Sequence, residues 1–140
     1  MGVVEKALGA VERIGDRGRS LACIIHAEFQ PDATEFVTPD DFTQQVGFVV
    51  HEAGQEIARH KHRPIDRCIV GTGEVLIVRK GRCEVDLYNE SGALISTREL
   101  RTGDILILVC GGHGFRMLED TVLLEVKQGP YTGLAEKEFF

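Results

Sequence analysis

Turn-forming residues interrupt this chain about every 8–12 residues, and the apolar runs between them are too short for helices. The chain carries 16 glycines. Most fall between short apolar segments, as in Gly71-Thr72-Gly73, Lys80-Gly81, Asn89-Glu90-Ser91-Gly92 and Arg101-Thr102-Gly103-Asp104. Between two of these turns, Arg82 to Tyr88 alternates strictly, with Cys83, Val85 and Leu87 on one side and Arg82, Glu84 and Asp86 on the other. That period of two is the signature of a half-buried strand. Nine or ten strands bounded in this way predict an antiparallel sandwich or barrel. One stretch departs from the pattern. From Val3 to Ile14 the apolar positions Val4, Ala7, Leu8, Val11 and Ile14 have helical spacing, so residues 1–18 are expected to form a short N-terminal helical extension. Residues 19–140 are expected to form a single β domain.

A length of 140 residues is that of one ordinary domain. The net charge of −6 argues against nucleic acid, since phosphate binding needs a basic surface, so no nucleic-acid partner is expected. Cys23, Cys68, Cys83 and Cys110 are widely spaced, with no CxxC pair. With no apolar run of spanning length, they fit a reduced cytoplasmic protein away from the membrane.

Chemistry concentrates at His60-Lys61-His62. Read as part of a strand from Ile57 to His62, the two imidazoles leave the same face and can grip one metal ion. Glu74 opens the otherwise apolar strand Glu-Val-Leu-Ile-Val-Arg, where a carboxylate is costly unless paired or ligated. His113 follows Gly111-Gly112, where the backbone can turn sharply. His26 and His51 fall outside this constellation and need no special role.

The order of these residues resembles the cupin superfamily. Gly54, five residues, then His60-Lys61-His62 match the first half of its first motif. Glu74, six residues, then Gly81 match the second half. Gly103-Asp104, the apolar run Ile105 to Val109, and Cys110-Gly111-Gly112-His113 resemble its second motif, with Val109 in place of the usual proline. The likeness runs from about Val46 to Val126. It implies an all-β fold, an antiparallel double-stranded β-helix or jelly-roll barrel. It also implies one divalent transition metal ion (Fe, Mn, Ni, Cu or Zn) held by His60, His62, Glu74 and His113. The eleven residues between His62 and Glu74 exceed the family's short gap. Asp66 would take the acid position if that gap were of usual length, while the spacing to Gly81 favours Glu74.

Such a centre implies a metal-dependent enzyme, a dioxygenase or an isomerase, acting on a small molecule bound inside the barrel. Two other functions fit the same resemblance. One is a non-catalytic small-molecule or metal-binding module. The other is a metal-independent sugar-nucleotide ketoisomerase, which the tail Val126-Lys127-Gln128-Gly129-Pro130-Tyr131 resembles a little. The cations Arg63 and Arg67, with Cys110 and Arg116, are the expected substrate-binding residues, and the cations point to an anionic ligand. Cupins commonly pair through N-terminal strands, so a homodimer exchanging the segment Ser20 to Thr38 is expected.

Overall fold

The computed structural model describes the backbone of Gly2–Ala7 and of Ala10–Phe140, and the side chains from Ala10 onward except that of Leu134. Among these residues the architecture is all-β and antiparallel, with a single 3-10 turn at Gly133–Glu136. The chain divides into two compact units, one of residues up to Phe29 together with Thr72–Phe140, the other of Gln30–Gly71.

The larger unit is a two-layer sandwich. Its strands are β1 (Gly2–Ala7), β2 (Val11–Asp16) and β3 (Arg19–Ile25), then β4 (Glu74–Lys80), β5 (Arg82–Tyr88) and β6 (Leu94–Arg101), and finally β7 (Ile105–Leu108), β8 (Gly112–Met117) and β9 (Val122–Lys127). One sheet has six strands in the order β1-β2-β3-β7-β4-β9, and the other has three in the order β8-β5-β6. The sheets remain open rather than closing into a barrel. Among the described residues the ladders stop at β1 and β9 in the large sheet and at β8 and β6 in the small one.

The expected N-terminal helix is replaced by two strands. Val3, Val4, Val11 and Ile14 are β-branched and lose side-chain freedom in a helix. β2 also lies between β1 and β3, where its backbone groups are satisfied on both edges. Asp16-Arg17-Gly18-Arg19 joins β2 to β3, with both central residues at positive φ (51° and 78°), as a tight hairpin requires. Gly2–Ala7 and Val11–Asp16 are therefore part of the large sheet, while Leu8 and Gly9 lie outside the described residues.

Both sheets turn alternate side chains inward. Ile14, Ala22, Ile24, Leu76, Val78, Leu106 and Leu108 from the large sheet meet Cys83, Val85, Leu87 and Leu100 from the small one. Each large aliphatic side chain so buried contributes about 1.5–3 kcal/mol. The chain crosses from one sheet to the other at Gly81 (φ 85°), where a side chain would collide with the Asp120 carbonyl. It returns at Gly103-Asp104. The buried Asp104 carboxylate accepts the backbone N–H of Arg101 and of Ala27, each at 2.8 Å, and so pins this turn to the end of β3.

The second unit has little regular structure. Two-residue strands β10 (Glu35–Phe36) and β11 (Gly47–Phe48) form a small antiparallel ladder. Thr38 ties the same loop: its hydroxyl donates to Gln45 Oε1 at 2.9 Å and accepts the Val46 N–H at 3.1 Å. No helix or strand covers Ile57 to His62, and every residue from His51 to Thr72 is exposed. The expected strand under the histidine pair is thus absent. The hydrophobic residues of this stretch, Ile57, Ala58, Ile65, Ile69 and Val70, have no facing sheet to alternate against, so a ladder would gain no burial.

Candidate functional site

One end of the sandwich core is polar. β4 carries Glu74, Leu76 and Val78 on its core-facing side, and Glu74 ends this row next to Leu108 of β7. β8 carries His113 opposite Leu87 and Phe115 opposite Val85; Phe115 packs against the core, while His113, near the start of the strand, stays exposed. Residues 39 positions apart are thereby brought face to face across the two layers. His113 Nε2 lies 3.3 Å from Glu74 Oε2, and the Glu74 side chain is only 14% exposed. The His113 ring also lies edge-on to Phe115, centroids 5.8 Å apart, which fixes its plane.

The electrostatics follow from this pairing. The hydrogen bond from His113 holds the Glu74 carboxyl below the usual carboxylate range; burial opposes the shift and the charge of His113 reinforces it. Glu125 of β9 stands opposite Leu76, on the same face as Glu74. Burial pushes its carboxyl up, and the neighbouring Glu74 charge pushes it further. Lys127, opposite Glu74 in the same ladder, adds a cation that helps keep Glu74 ionised. Glu125 and Lys127 lie outside the constellation expected from the sequence. Their signal was there, since Leu123, Glu125 and Lys127 alternate with Leu124 and Val126, and that register turns two charges toward the core face.

The remaining expected residues fall in different places. His60 and His62 belong to the second unit, where their ring centroids lie 5.2 Å apart in an edge arrangement. His60 Nδ1 is 2.8 Å from the Ala58 carbonyl oxygen. A ring that donates there keeps Nε2 free as an acceptor or ligand. Arg63, Asp66 and Arg67 are exposed in the same unit. Arg116 lies on the face of β8 opposite to His113 and binds Glu84 at 2.5 Å, so the strand's alternation carries it away from the core. Cys110 is half-buried just after β7, its Sγ 3.1 Å from the Ser20 carbonyl, and burial raises its thiol. Among the described residues, no cluster gathers three or more His, Cys, Asp or Glu side chains at metal-holding spacing.

A second polar network ties the sandwich together. Arg98 Nε donates to Glu12 Oε2 at 2.8 Å, and His26 lies between Glu12 and Asp104 at 3.5 and 3.9 Å. It links β2, the end of β3, β6 and the turn before β7.

No family model, curated protein or solved structure matches the chain. Among the described residues, no helix is long and apolar enough to cross a membrane.

Proposed function

We propose that this chain is a metalloprotein of cupin type that binds a small, anionic molecule, with Glu74 and His113 as two ligands of one divalent transition metal ion. The observation that carries the proposal is the meeting of these two side chains at the polar end of the core. Their separation of 3.3 Å fits the group. Two ligand atoms at about 2.0–2.1 Å from a tetrahedral ion lie about 3.3 Å apart. The cupin resemblance also implies His60 and His62 as ligands, but these belong to the other unit, and the reading proposed here rests on Glu74 and His113. A bound ion with an open position would supply Lewis-acid or oxygen-activating chemistry, the basis of an isomerase or dioxygenase.

The chain's own residues contribute orientation and charge. Glu74 stays ionised beside His113 and Lys127, and Phe115 holds the His113 ring. Leu76, Leu87 and Leu108 form an apolar floor that excludes water from behind the pair.

One observation favours a metal-free alternative. A histidine directly facing a half-buried carboxylate is also a proton-transfer pair, as a cupin-type ketoisomerase would use. Elemental analysis of protein purified without added metal separates the two. We expect close to one equivalent of a transition metal, lost in His113→Ala. A metal-free protein that again takes up none on dialysis against Fe, Mn, Ni, Cu or Zn overturns the metal reading in favour of the proton-transfer pair.

A further inference from the structure

The end of the sandwich that holds Glu74 and His113 carries a second built feature, made by β9 and the C-terminal turn. Lys127 stands opposite Glu74 in the ladder. Its ammonium lies 3.1 Å from Glu136 Oε1, and the two side chains are only 21% and 15% exposed. The Thr132 hydroxyl donates to the other carboxylate oxygen, Oε2, at 2.7 Å. The Tyr131 ring lies 5.2 Å from the Lys127 nitrogen, within reach of a cation–π contact. One carboxylate is therefore met at both oxygens by different donors, beside an aromatic face.

This is the chemistry of a carboxylate-binding site, and the group bound in it belongs to a side chain of the same molecule. Glu136 is carried by the short 3-10 turn Gly133–Glu136, only nine residues beyond Lys127. A short tether of this kind supplies a local carboxylate concentration on the order of millimolar. A free carboxylate at comparable concentration can therefore take its place.

We propose that Lys127, with Thr132 and Tyr131, anchors the carboxylate of a small anionic ligand at the Glu74–His113 end of the sandwich, and that Glu136 is its intramolecular competitor. The proposal rests on the reading of that end as a ligand site, and it names the ligand class. The anchoring cation is then Lys127 of the sandwich rather than Arg63, Arg67 or Arg116, the last of which is already bound to Glu84.

The test is calorimetric titration of the full chain with benzoate, with benzamide as its neutral isostere. Removing the competitor in Glu136→Gln is expected to tighten benzoate binding roughly tenfold. Lys127→Met is expected to abolish it, and Lys127→Arg to restore most of it, which guards against a folding defect in the methionine variant. Benzamide is expected to bind none of them. Equal benzoate affinity in wild type and Glu136→Gln overturns the proposal, as does retention of binding in a folded Lys127→Met. Metal content measured on the same samples keeps the two proposals apart. A metal-free protein whose Glu136→Gln variant gains affinity supports this proposal while the metal centre falls. A metal-loaded protein without that gain overturns this proposal alone.

Discussion

In the sandwich, Cys83, Val85 and Leu87 are at most 2% exposed, and the charged residues between them point outward. In the unit from Gln30 to Gly71, Ile57, Ile65 and Val70 are 61, 65 and 90% exposed. The residue types are alike, and what differs is the frame around them. A strand buries its alternate side chains only when a second layer receives them. β5 has neighbours on both edges and a facing sheet, whereas the stretch from His51 to Thr72 has no ladder at all. The same contrast separates the two pairs of residues that the sequence offers as metal ligands. Glu74 and His113 are aimed by register, one from each sheet. His60 and His62 are placed by local backbone and by the Ala58 carbonyl.

The contrast makes stability a property of the sandwich, and the largest expected effect is there. Leu106 is fully buried on β7, between β3 and β4. Leu106→Ala should cost about 3 kcal/mol, from lost transfer energy and the cavity left behind. Denaturant unfolding measures it. A loss below about 1 kcal/mol would mean that the two sheets do not share the core described here.

Next in size is the buried ion pair between the layers. Glu12→Gln should cost about 2 kcal/mol, less than a fully enclosed pair because Arg98 is 28% exposed. Burial alone would raise the Glu12 carboxyl, but the Arg98 hydrogen bond and charge, with His26, bring it below its ordinary value. A depressed folded-state pKa stabilises the fold above the unfolded-state value of about 4.3, and the gain is lost as pH falls through the folded-state value. Acid unfolding curves of the two proteins should therefore converge below about pH 4. Curves that stay parallel through that range would remove Glu12 from the acid sensitivity.

How much of this was legible before the structure follows the same division. The strands from Glu74 to Lys127 were readable because period-two alternation and glycine turns are local signals. So was the candidate acid, since a carboxylate heading an apolar strand is an anomaly in one dimension. Its contact with His113 is a property of two sheets, and only the resemblance to a family pointed toward it. The N-terminal segment misled because apolar residues at spacings of three and four also suit a paired strand whose β-branched residues outweigh the period. The His60 strand misled because neighbouring strand-like runs gave no sign that a ladder partner was missing. Lys127 and Glu136 give no local signal as a pair, because residues nine apart meet only once the 3-10 turn folds back.

A smaller effect tests which acid belongs to the proposed metal site. Glu74→Gln should weaken metal binding at least roughly tenfold, since an amide is a poorer ligand for a divalent ion than a carboxylate. Asp66→Asn should change it little, because Asp66 is exposed in the second unit while Glu74 already faces His113. Metal titration of both variants reads the difference. The opposite ranking would move the centre out of the sandwich and into the Gln30–Gly71 unit.

The smallest expected change is the sharpest check on the contrast itself. Val70 is 90% exposed and precedes the turn at Gly71 (φ 86°). Val70→Ser removes apolar surface that is already in water, so unfolding free energy should stay within about 0.5 kcal/mol of wild type. The same polar change at Val85, which is 0% exposed between the sheets, should cost several times more, because it leaves a cavity and buries a hydroxyl with no assured partner. A Val70→Ser loss as large as that at Val85 would show that residues 51–72 are covered when the protein folds in solution, and that the second unit shares in the stability assigned here to the sandwich.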